Sequence, residues 1–557
     1  MFVGAGPEIW GSTDAGRTWV KCDNIGGKIK SFLINNKVMF AAINNGIYIS
    51  DDYGKTWSLK NKGLPGGEVL SFCGGSTAGK TVIYCIVNND AYRSFDKGEN
   101  WESAMGRGIK TKEAYNKVVC AENNPDIIYL NTPSEFLVFK SGDSGNNWKN
   151  CYFPSVESGN VNIGWLSYEY GTGWGGPFNT GFNINPANPD YVAGTNYGEI
   201  ILTIDGGKTW KQIYSKPVDT PKKGARWTST GLEVTAAWNY YIDPHDNIKH
   251  YICYSDIGFA RSEDGGKTWV HSVDGNPWRN TIYELAFDPD NAGVIYAAAS
   301  KQHGIPYWPN IEIIKYGGGV IKSVDYGKTW ASISKGLPDK PATSIIKDNN
   351  TIFAAMFGDG VYRSDDKGET WVKKSNGLGN SENMHVFSLK LHKNGDLFCS
   401  ITGKRTGGKF PVPGGLYKST DKGDNWGLLK ELHWTTNFDV DPDNSYVIYL
   451  AGCAIPGGHD EGGVYKTVDG GKVWDKLNID FPVEYLNYVH VYGIFINPEK
   501  TSSIYITTGT HGMFHSNDNG KTWKEVDGFP FIGTTRITWD KDNMYVSTQG
   551  AGVWKNK

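Results

Sequence analysis

Ser12-Thr13-Asp14-Ala15-Gly16-Arg17-Thr18-Trp19 decides the fold, because its pattern, S/T-x-D-x-G-x-x-W, returns along the whole chain. The aspartate recurs at Asp52, Asp96, Asp143, Asp205, Asp264, Asp325, Asp366, Asp421, Asp469 and Asp518, eleven copies at intervals of 38 to 62 residues. A fixed phrase repeated at that spacing is the mark of a repeat architecture. Each copy lies between two apolar runs, as after Gly360-Val361-Tyr362-Arg363-Ser364. The residue types describe a hairpin clasp. The aspartate accepts backbone N–H bonds inside the turn, the glycine supplies a positive φ, and the tryptophan packs between neighbouring sheets.

The pattern between clasps is equally regular. Residues 435–474 show an inner strand ending in Asp439-Val440-Asp441-Pro442, then Val447-Ile448-Tyr449-Leu450-Ala451, then Gly463-Val464-Tyr465-Lys466-Thr467, the clasp and an outer strand. Short strands bounded by turn signals, with no helical period, predict an all-β chain built four strands at a time. Counting this way predicts ten complete units, with partial ones at Met1–Cys22 and Thr534–Lys557. The clasp phrase is identified as the Asp-box, or BNR repeat. That resemblance implies tandem β-propellers, with the clasps at the blade rim, away from the central pocket. Propellers carry about four to eight blades, so twelve units predict two rings. A single ten-bladed ring resembling the sortilin ectodomain would require merged blades, and the cysteine-rich tail of that family is absent. Clasp spacing is least regular across 149–235, which predicts an N-terminal propeller over 1–225 and a C-terminal one over 226–557, joined near Pro217-Val218-Asp219-Thr220-Pro221-Lys222-Lys223-Gly224.

Composition narrows the partners. The chain has 557 residues, 56 Lys and Arg against 59 Asp and Glu, and a net charge of −3. That balance offers no basic face for nucleic acid or an anionic membrane surface. No apolar stretch is long enough to span a bilayer, and a monomer is expected. The eight cysteines are scattered through strand-like runs without metal-ligand spacing, so buried free thiols are expected and no metal or cofactor. Met1 runs directly into Phe2-Val3-Gly4-Ala5-Gly6, which reads as strand rather than signal peptide. The expectation is a cytoplasmic protein if Met1 is the native start, and an extracellular one if a leader precedes it.

Of 21 tryptophans, eleven belong to the clasps. The others gather where clasp spacing is longest, and insertions in a propeller hang off one face and build the site. Gly164-Trp165-Leu166-Ser167-Tyr168-Glu169-Tyr170-Gly171-Thr172-Gly173-Trp174 fills the first window. Trp227 and Trp238-Asn239 fall in the second, Trp278-Arg279 and Tyr307-Trp308 in the third, and Trp434 in a later one. Flat aromatic faces stack on the C–H face of pyranose rings while nearby polar groups take the hydroxyls. These residues are therefore the expected substrate-binding set. The competing structural reading is that the rings plug the seam between two propellers.

Thr230-Gly231-Leu232-Glu233-Val234-Thr235-Ala236-Ala237-Trp238-Asn239, followed by Tyr254-Ser255-Asp256-Ile257-Gly258-Phe259, resembles the start of the second propeller in glycoside hydrolase family 74. The resemblance implies an inverting xyloglucanase or oligoxyloglucan cellobiohydrolase built from two seven-bladed propellers. The family's Gly-hydrophobic-Glu opening stands as Gly231-Leu232-Glu233 and its Asp-Ile-Gly as Asp256-Ile257-Gly258. Its catalytic acid falls on Asn239, which cannot donate a proton as an acid. Its N-terminal Asp-Ile-Gly-Gly-Ala-Tyr phrase has no counterpart here.

Glu233 and Asp256 are the expected catalytic carboxylates. In an aromatic, partly dry mouth their pKa values would split into an acid and a base, with that of Asp256 raised. Glu284, Asp359, Asp460 and Glu461 are further carboxylates in predicted site-face loops, with His303, His433, His459 and His490 in comparable loops. Sialidases also carry the clasp, but their Arg-Ile-Pro phrase is absent, and Arg93, Arg261 and Arg363 lie in the strand before a clasp. The leading expectation is a glycoside hydrolase acting on polysaccharide or oligosaccharide. One alternative is a polysaccharide lyase drawing on Tyr168, Tyr170, Arg279 and His303. The other is a non-catalytic binding propeller, resembling the sortilin-type and photosystem-assembly proteins.

Overall fold

A computed structural model describes the chain except for residues 36–37, 78, 111–112, 156, 173, 231–234, 307–308, 456–461, 482–489, 510, 542 and 557. The chain is an all-β protein of tandem β-propellers, built from mainly antiparallel sheets, with one short α-helix among the described residues, Trp165–Tyr170. Among the described residues ten sheets carry four or more strands, and three-stranded sheets stand at the two ends, Phe2–Asn24 and Thr534–Lys555. The helix is the departure from the strand-only reading. Gly164 precedes it in extended conformation and Gly171 ends it at φ 88°. A Cβ at Gly164 would lie 2.2 Å from the Tyr214 hydroxyl oxygen, so only glycine admits that approach.

The clasps share one geometry. Ser323 Oγ donates to Asp325 Oδ1 at 2.8 Å and accepts from the Gly327 N–H at 2.8 Å. Asp325 in turn accepts from the Thr329 N–H and hydroxyl at 3.0 and 2.7 Å. The backbone needs two left-handed residues in succession, Tyr326 at φ 63° and Gly327 at φ 74°. Glycine was legible for the second position. The first tolerates Ala15, Lys97 or Tyr326, because the surrounding hydrogen bonds over-determine the turn. The Trp330 indole donates to the Ser272 carbonyl of the preceding sheet at 3.0 Å. Trp101, Trp148, Trp210, Trp371 and Trp426 likewise reach back to the sheet before. In these clasps the tryptophan is thus an inter-sheet tie, not only a packed ring, whereas the Trp57, Trp269 and Trp523 indoles bond the glycine of their own clasp.

The chain divides into two compact units, residues 1–217 with 221–223, and residues 218–220 with 224–557. Counting sheets of three or more strands among the described residues, the first unit holds five, numbered one to five here in chain order, and the second holds seven, numbered six to twelve. Apolar layers between successive sheets form the cores, as where Val82, Tyr84 and Ile86 meet Val118, Ile128 and Leu130. The second unit closes on itself. Thr535 Oγ1 donates to the Ala237 carbonyl at 2.6 Å and Thr538 Oγ1 to the Tyr240 carbonyl at 2.8 Å, joining sheet twelve to sheet six. Tyr240 and Tyr545 stack across the same junction at 4.5 Å. The eight cysteines are free thiols. No helix among the described residues is long and apolar enough to cross a membrane.

Candidate functional site

The inner strands of the second unit set the geometry. Each of six carries a bulge near its start, at Trp238, Tyr283, Thr343, Phe387, Thr436 and Tyr492. A bulge re-aims the side chain that follows. Several of those following residues form a polar belt from strand to strand. Asn239 donates from Nδ2 to the Tyr283 carbonyl at 2.6 Å. Glu284 accepts from the Ser344 hydroxyl and from the Ile345 N–H, the latter at 3.0 Å, and Ser344 Oγ accepts from the Leu389 N–H at 3.0 Å. Asn239 is therefore a buried structural tie. Glu284, expected in a loop, lies in the inner strand Thr281–Phe287, where burial pushes its pKa up against the pull of Arg536 and Ser344.

Asp256 lies in the expected loop between second and third strands, at the face where the inner strands begin. Its backbone is left-handed, φ 62°, and the turn is tight, with the Ile257 N–H bonded to the Ser255 carbonyl at 2.6 Å. Left-handed aspartate costs local strain, which persists where the surroundings fix it. Oδ2 accepts from Thr235 Oγ1 at 2.7 Å, Oδ1 pairs with His303 Nδ1, and the Asn280 side chain donates a further bond. Thr281 Oγ1 donates to Asn280 Oδ1 at 2.8 Å, which leaves the amide nitrogen of Asn280 for the carboxylate.

The direction of the Asp256 pKa corrects the sequence expectation. Burial pushes it up, but the bond and charge of His303, with Thr235 and Asn280, outweigh burial and hold it below its ordinary value. His303 responds in the opposite sense. Its bond to Asp256 raises its pKa against the effect of burial. The Asp256 and His303 side chains keep 30 % and 46 % of their surface accessible, so the pair is reachable from outside. His303 is held by its own loop, where Tyr283 Oη donates to the Gln302 carbonyl at 2.9 Å and accepts from the Ile305 N–H at 3.3 Å.

The other expected residues divide by unit. Trp238 is 3 % exposed, and its indole donates to Ser255 Oγ at 2.7 Å, so it braces the Asp256 turn from within the core. Trp227 is also buried. Trp278 and Arg279 immediately precede Asn280. The Trp278 ring occupies the space a Cβ at Gly319 would take, 2.5 Å from its Cη2. Arg279 is half-buried at φ 51°, 3.9 Å from Asp274. Trp434 stacks on Phe410 at 4.9 Å and donates to the Pro306 carbonyl at 3.3 Å, in the loop that carries His303. Asp256, His303, Trp278, Arg279 and Trp434 thus share one face of the second unit.

The first unit gathers a separate group. Trp165 is buried and Tyr168 half-buried on the helix, Tyr170 meets Trp174 at 6.3 Å, and Trp174 presses on Gly198. Beside them Glu199 is 7 % exposed and accepts from the Tyr214 hydroxyl at 3.1 Å. Burial raises its pKa against bonds from Tyr214, Asn196 and Ser167. Glu199 lies in the same second-to-third-strand loop of its sheet as Asp256 does in its own, but it carries no sequence signal.

Glu233, Tyr307, Trp308, His459, Asp460 and Glu461 lie outside the described residues. Asp359 is a turn residue that accepts from Tyr362 Oη at 3.0 Å and Lys373 Nζ at 2.5 Å. Arg93 and Arg363 reach the next sheet's clasp, donating to the Ser144 and Lys422 carbonyls at 2.6 and 3.0 Å, while Arg261 bonds Glu263 beside its own clasp. From the sequence, His303 is legible only among the loop histidines and the lyase pool. The signal that was missed is topological, since His303 follows its second strand as Asp256 follows its own in the neighbouring sheet.

Comparison with known proteins agrees with this architecture. A family model described as BNR/Asp-box repeat matches residues 48–59, the clasp of Asp52. The xyloglucanase Xgh74A of Acetivibrio thermocellus is 23 % identical over 273 residues, covering 43 % of this chain and 28 % of the relative. A xyloglucanase of a Paenibacillus species is 24 % identical over 267 residues, covering 44 % of this chain and 24 % of the relative. The matches span about a quarter of these curated relatives' length. The crystal structure of the GH74 enzyme of Niastella koreensis aligns with 100 % of this chain and 79 % of its own, at a TM-score of 0.61 and 18 % identity. That likeness is one of fold.

Proposed function

We propose that this chain is a glycoside hydrolase acting on oligosaccharide or polysaccharide at the loop face of its second unit, with the Asp256–His303 pair as proton acceptor. The observation that carries the reading is the pair itself, a carboxyl group on a left-handed turn bonded to a half-exposed imidazole. Similarity to proteins named xyloglucanase supports the substrate class. In this reading Asp256 orients His303 through Nδ1, and Nε2 takes a proton from the attacking water. A fixed anion next to the imidazole stabilises the imidazolium as it forms. Trp278 and Trp434 supply aromatic faces for sugar rings, and Arg279 and Asn280 supply donors for hydroxyls. Asn239 is committed to the belt, so the leaving-group acid falls to Glu233, the remaining carboxyl of the motif.

The juxtaposition of His303 with Arg279 and Asn280 also favours a second reading, a lyase in which the imidazole abstracts a proton beside a neutralised uronate. One experiment separates the two. The protein is incubated with xyloglucan, other β-glucans and uronate polymers while reducing ends and absorbance near 235 nm are followed. New reducing ends without absorbance support the hydrolase, and absorbance supports the lyase. Asp256→Asn should lower kcat at least about 100-fold, as for loss of acid–base catalysis, with ligand affinity within a few-fold. Binding without turnover on any polymer would overturn the enzyme reading in favour of a binding propeller.

A further inference from the structure

The first unit carries a thiol pair that the carbohydrate site does not use. The inner strands of sheets three and four, Val69–Thr77 and Lys117–Ala121, run side by side in fixed register. Ser71 Oγ donates to the Val118 carbonyl at 3.2 Å and accepts from the Val118 N–H at 3.1 Å. Further along, the Ser76 N–H donates to the Glu122 carbonyl at 2.8 Å. These contacts pair residues 47 and then 46 apart in sequence, which sets Cys73 opposite Cys120, again 47 apart. The two thiols pack in the same apolar layer and interact directly. Both line a cavity of about 410 Å³ bordered by Phe32, Phe72, Glu122 and Ile184.

Cys85, also close in sequence, is on the wrong side. It pairs in register with Phe72 and packs in the layer between sheets two and three, whereas Cys73 pairs with Tyr84 and faces sheet four. Side chains alternate across a strand, so neighbours at 72 and 73 face opposite layers.

We propose that Cys73 and Cys120 are a modification site at which a small-molecule disulfide installs a reversible cross-link between sheets three and four. The chemistry is thiol–disulfide exchange. Cys73 gives up its proton and attacks one sulfur of R–S–S–R, forming Cys73–S–S–R and expelling RS⁻. Cys120, deprotonated in turn, attacks the Cys73 sulfur, the protein disulfide forms and the second RS⁻ leaves. The two RS⁻ groups take up the two protons, so two protein thiols are oxidised and one external disulfide is reduced. Burial raises the Cys73 pKa well above its ordinary value, so the thiolate is scarce near neutrality and the first step is slow there.

The test treats the native protein with glutathione disulfide at pH 7, 8 and 9 and maps its peptides without reduction. The expected product has lost two hydrogens, links Cys73 to Cys120 and reverts with dithiothreitol. Its rate of formation should rise about tenfold per pH unit, following the thiolate fraction. Closing a loop of this size should raise the melting temperature by roughly 5–10 °C. Cys85→Ser should give the same product at the same rate. Glutathione adducts without a cross-link, a cross-link through Cys85, or no reaction until the chain is unfolded would each overturn the proposal.

Discussion

At the scale of single residues, environment rather than residue type sets what each acid does. Asp256 and Glu199 occupy equivalent loops in different sheets, yet their pKa values move in opposite directions. Asp256 has a cationic partner and two donors, and Glu199 has donors but no cation. If the Asp256–His303 pair is the proton acceptor, kcat/KM should rise with pH through a limb above 6.5, the ordinary value for histidine, because Asp256 raises that of His303. Asp256→Asn removes the anion and leaves the burial that lowers the imidazole, so the limb of any residual activity should move down, to 6.5 or below. A limb that stays fixed in the variant would assign the titration to another group.

Glu199 permits a stability test. A raised folded-state pKa favours the neutral acid, so this group supports the fold below its unfolded value of 4.5 and loses that support as pH climbs through the folded one. Glu199→Gln keeps an acceptor for Tyr214 and removes the charge. The variant should match the parent in unfolding free energy near pH 4 and exceed it at pH 7–8, by about 1.4 kcal/mol for each unit of raised pKa. Equal melting curves at both pH values would show that Glu199 ionises without strain.

Among elements, the clasps are not interchangeable. The Trp330 indole bonds the preceding sheet through Ser272, whereas the Trp523 indole bonds Gly520 within its own clasp at 3.1 Å. Phenylalanine keeps most of the apolar area and deletes the N–H. Trp330→Phe should therefore weaken an inter-sheet contact and leave a buried carbonyl unpaired, at a cost of about 1–3 kcal/mol. Trp523→Phe should cost less, because its bond stays within one turn. Chemical denaturation of the two variants measures the difference, and equal losses would show that the ring, not the indole bond, ties the sheets.

For the whole molecule, the repeat makes a local titration collective. Asp14, Asp52, Asp366 and Asp421 are each held to about 2 by bonds from the Thr or Asn four residues on and from its N–H. A depressed carboxyl supports the fold above its unfolded value, here 3.8, and that support is lost as pH falls toward the folded one. Because the same clasp recurs in sheet after sheet, the melting temperature should fall steeply between about pH 4 and 2. A flat profile down to pH 2 would show that the clasp bonds survive protonation.

What the sequence determined by itself was local and periodic. The clasp phrase encodes its own hydrogen bonds within eight residues, so Asp325, Thr329 and Gly327 were legible without a partner sheet, and counting clasps yielded ten complete sheets with partial ones at the ends. The loop of Asp256 was legible for the same reason, since it lies between two readable strands. Tertiary structure decided what depended on neighbours far along the chain. Trp238 and Asn239 looked like an aromatic-polar site pair, but the bulge turns Trp238 into the core and gives Asn239 to the next strand. His303 meets Asp256 across 47 residues, and that meeting reversed the expected pKa, because a cation and directed donors outweigh burial. No sequence window contains both partners, so only the packing of one sheet beside the next could place them together.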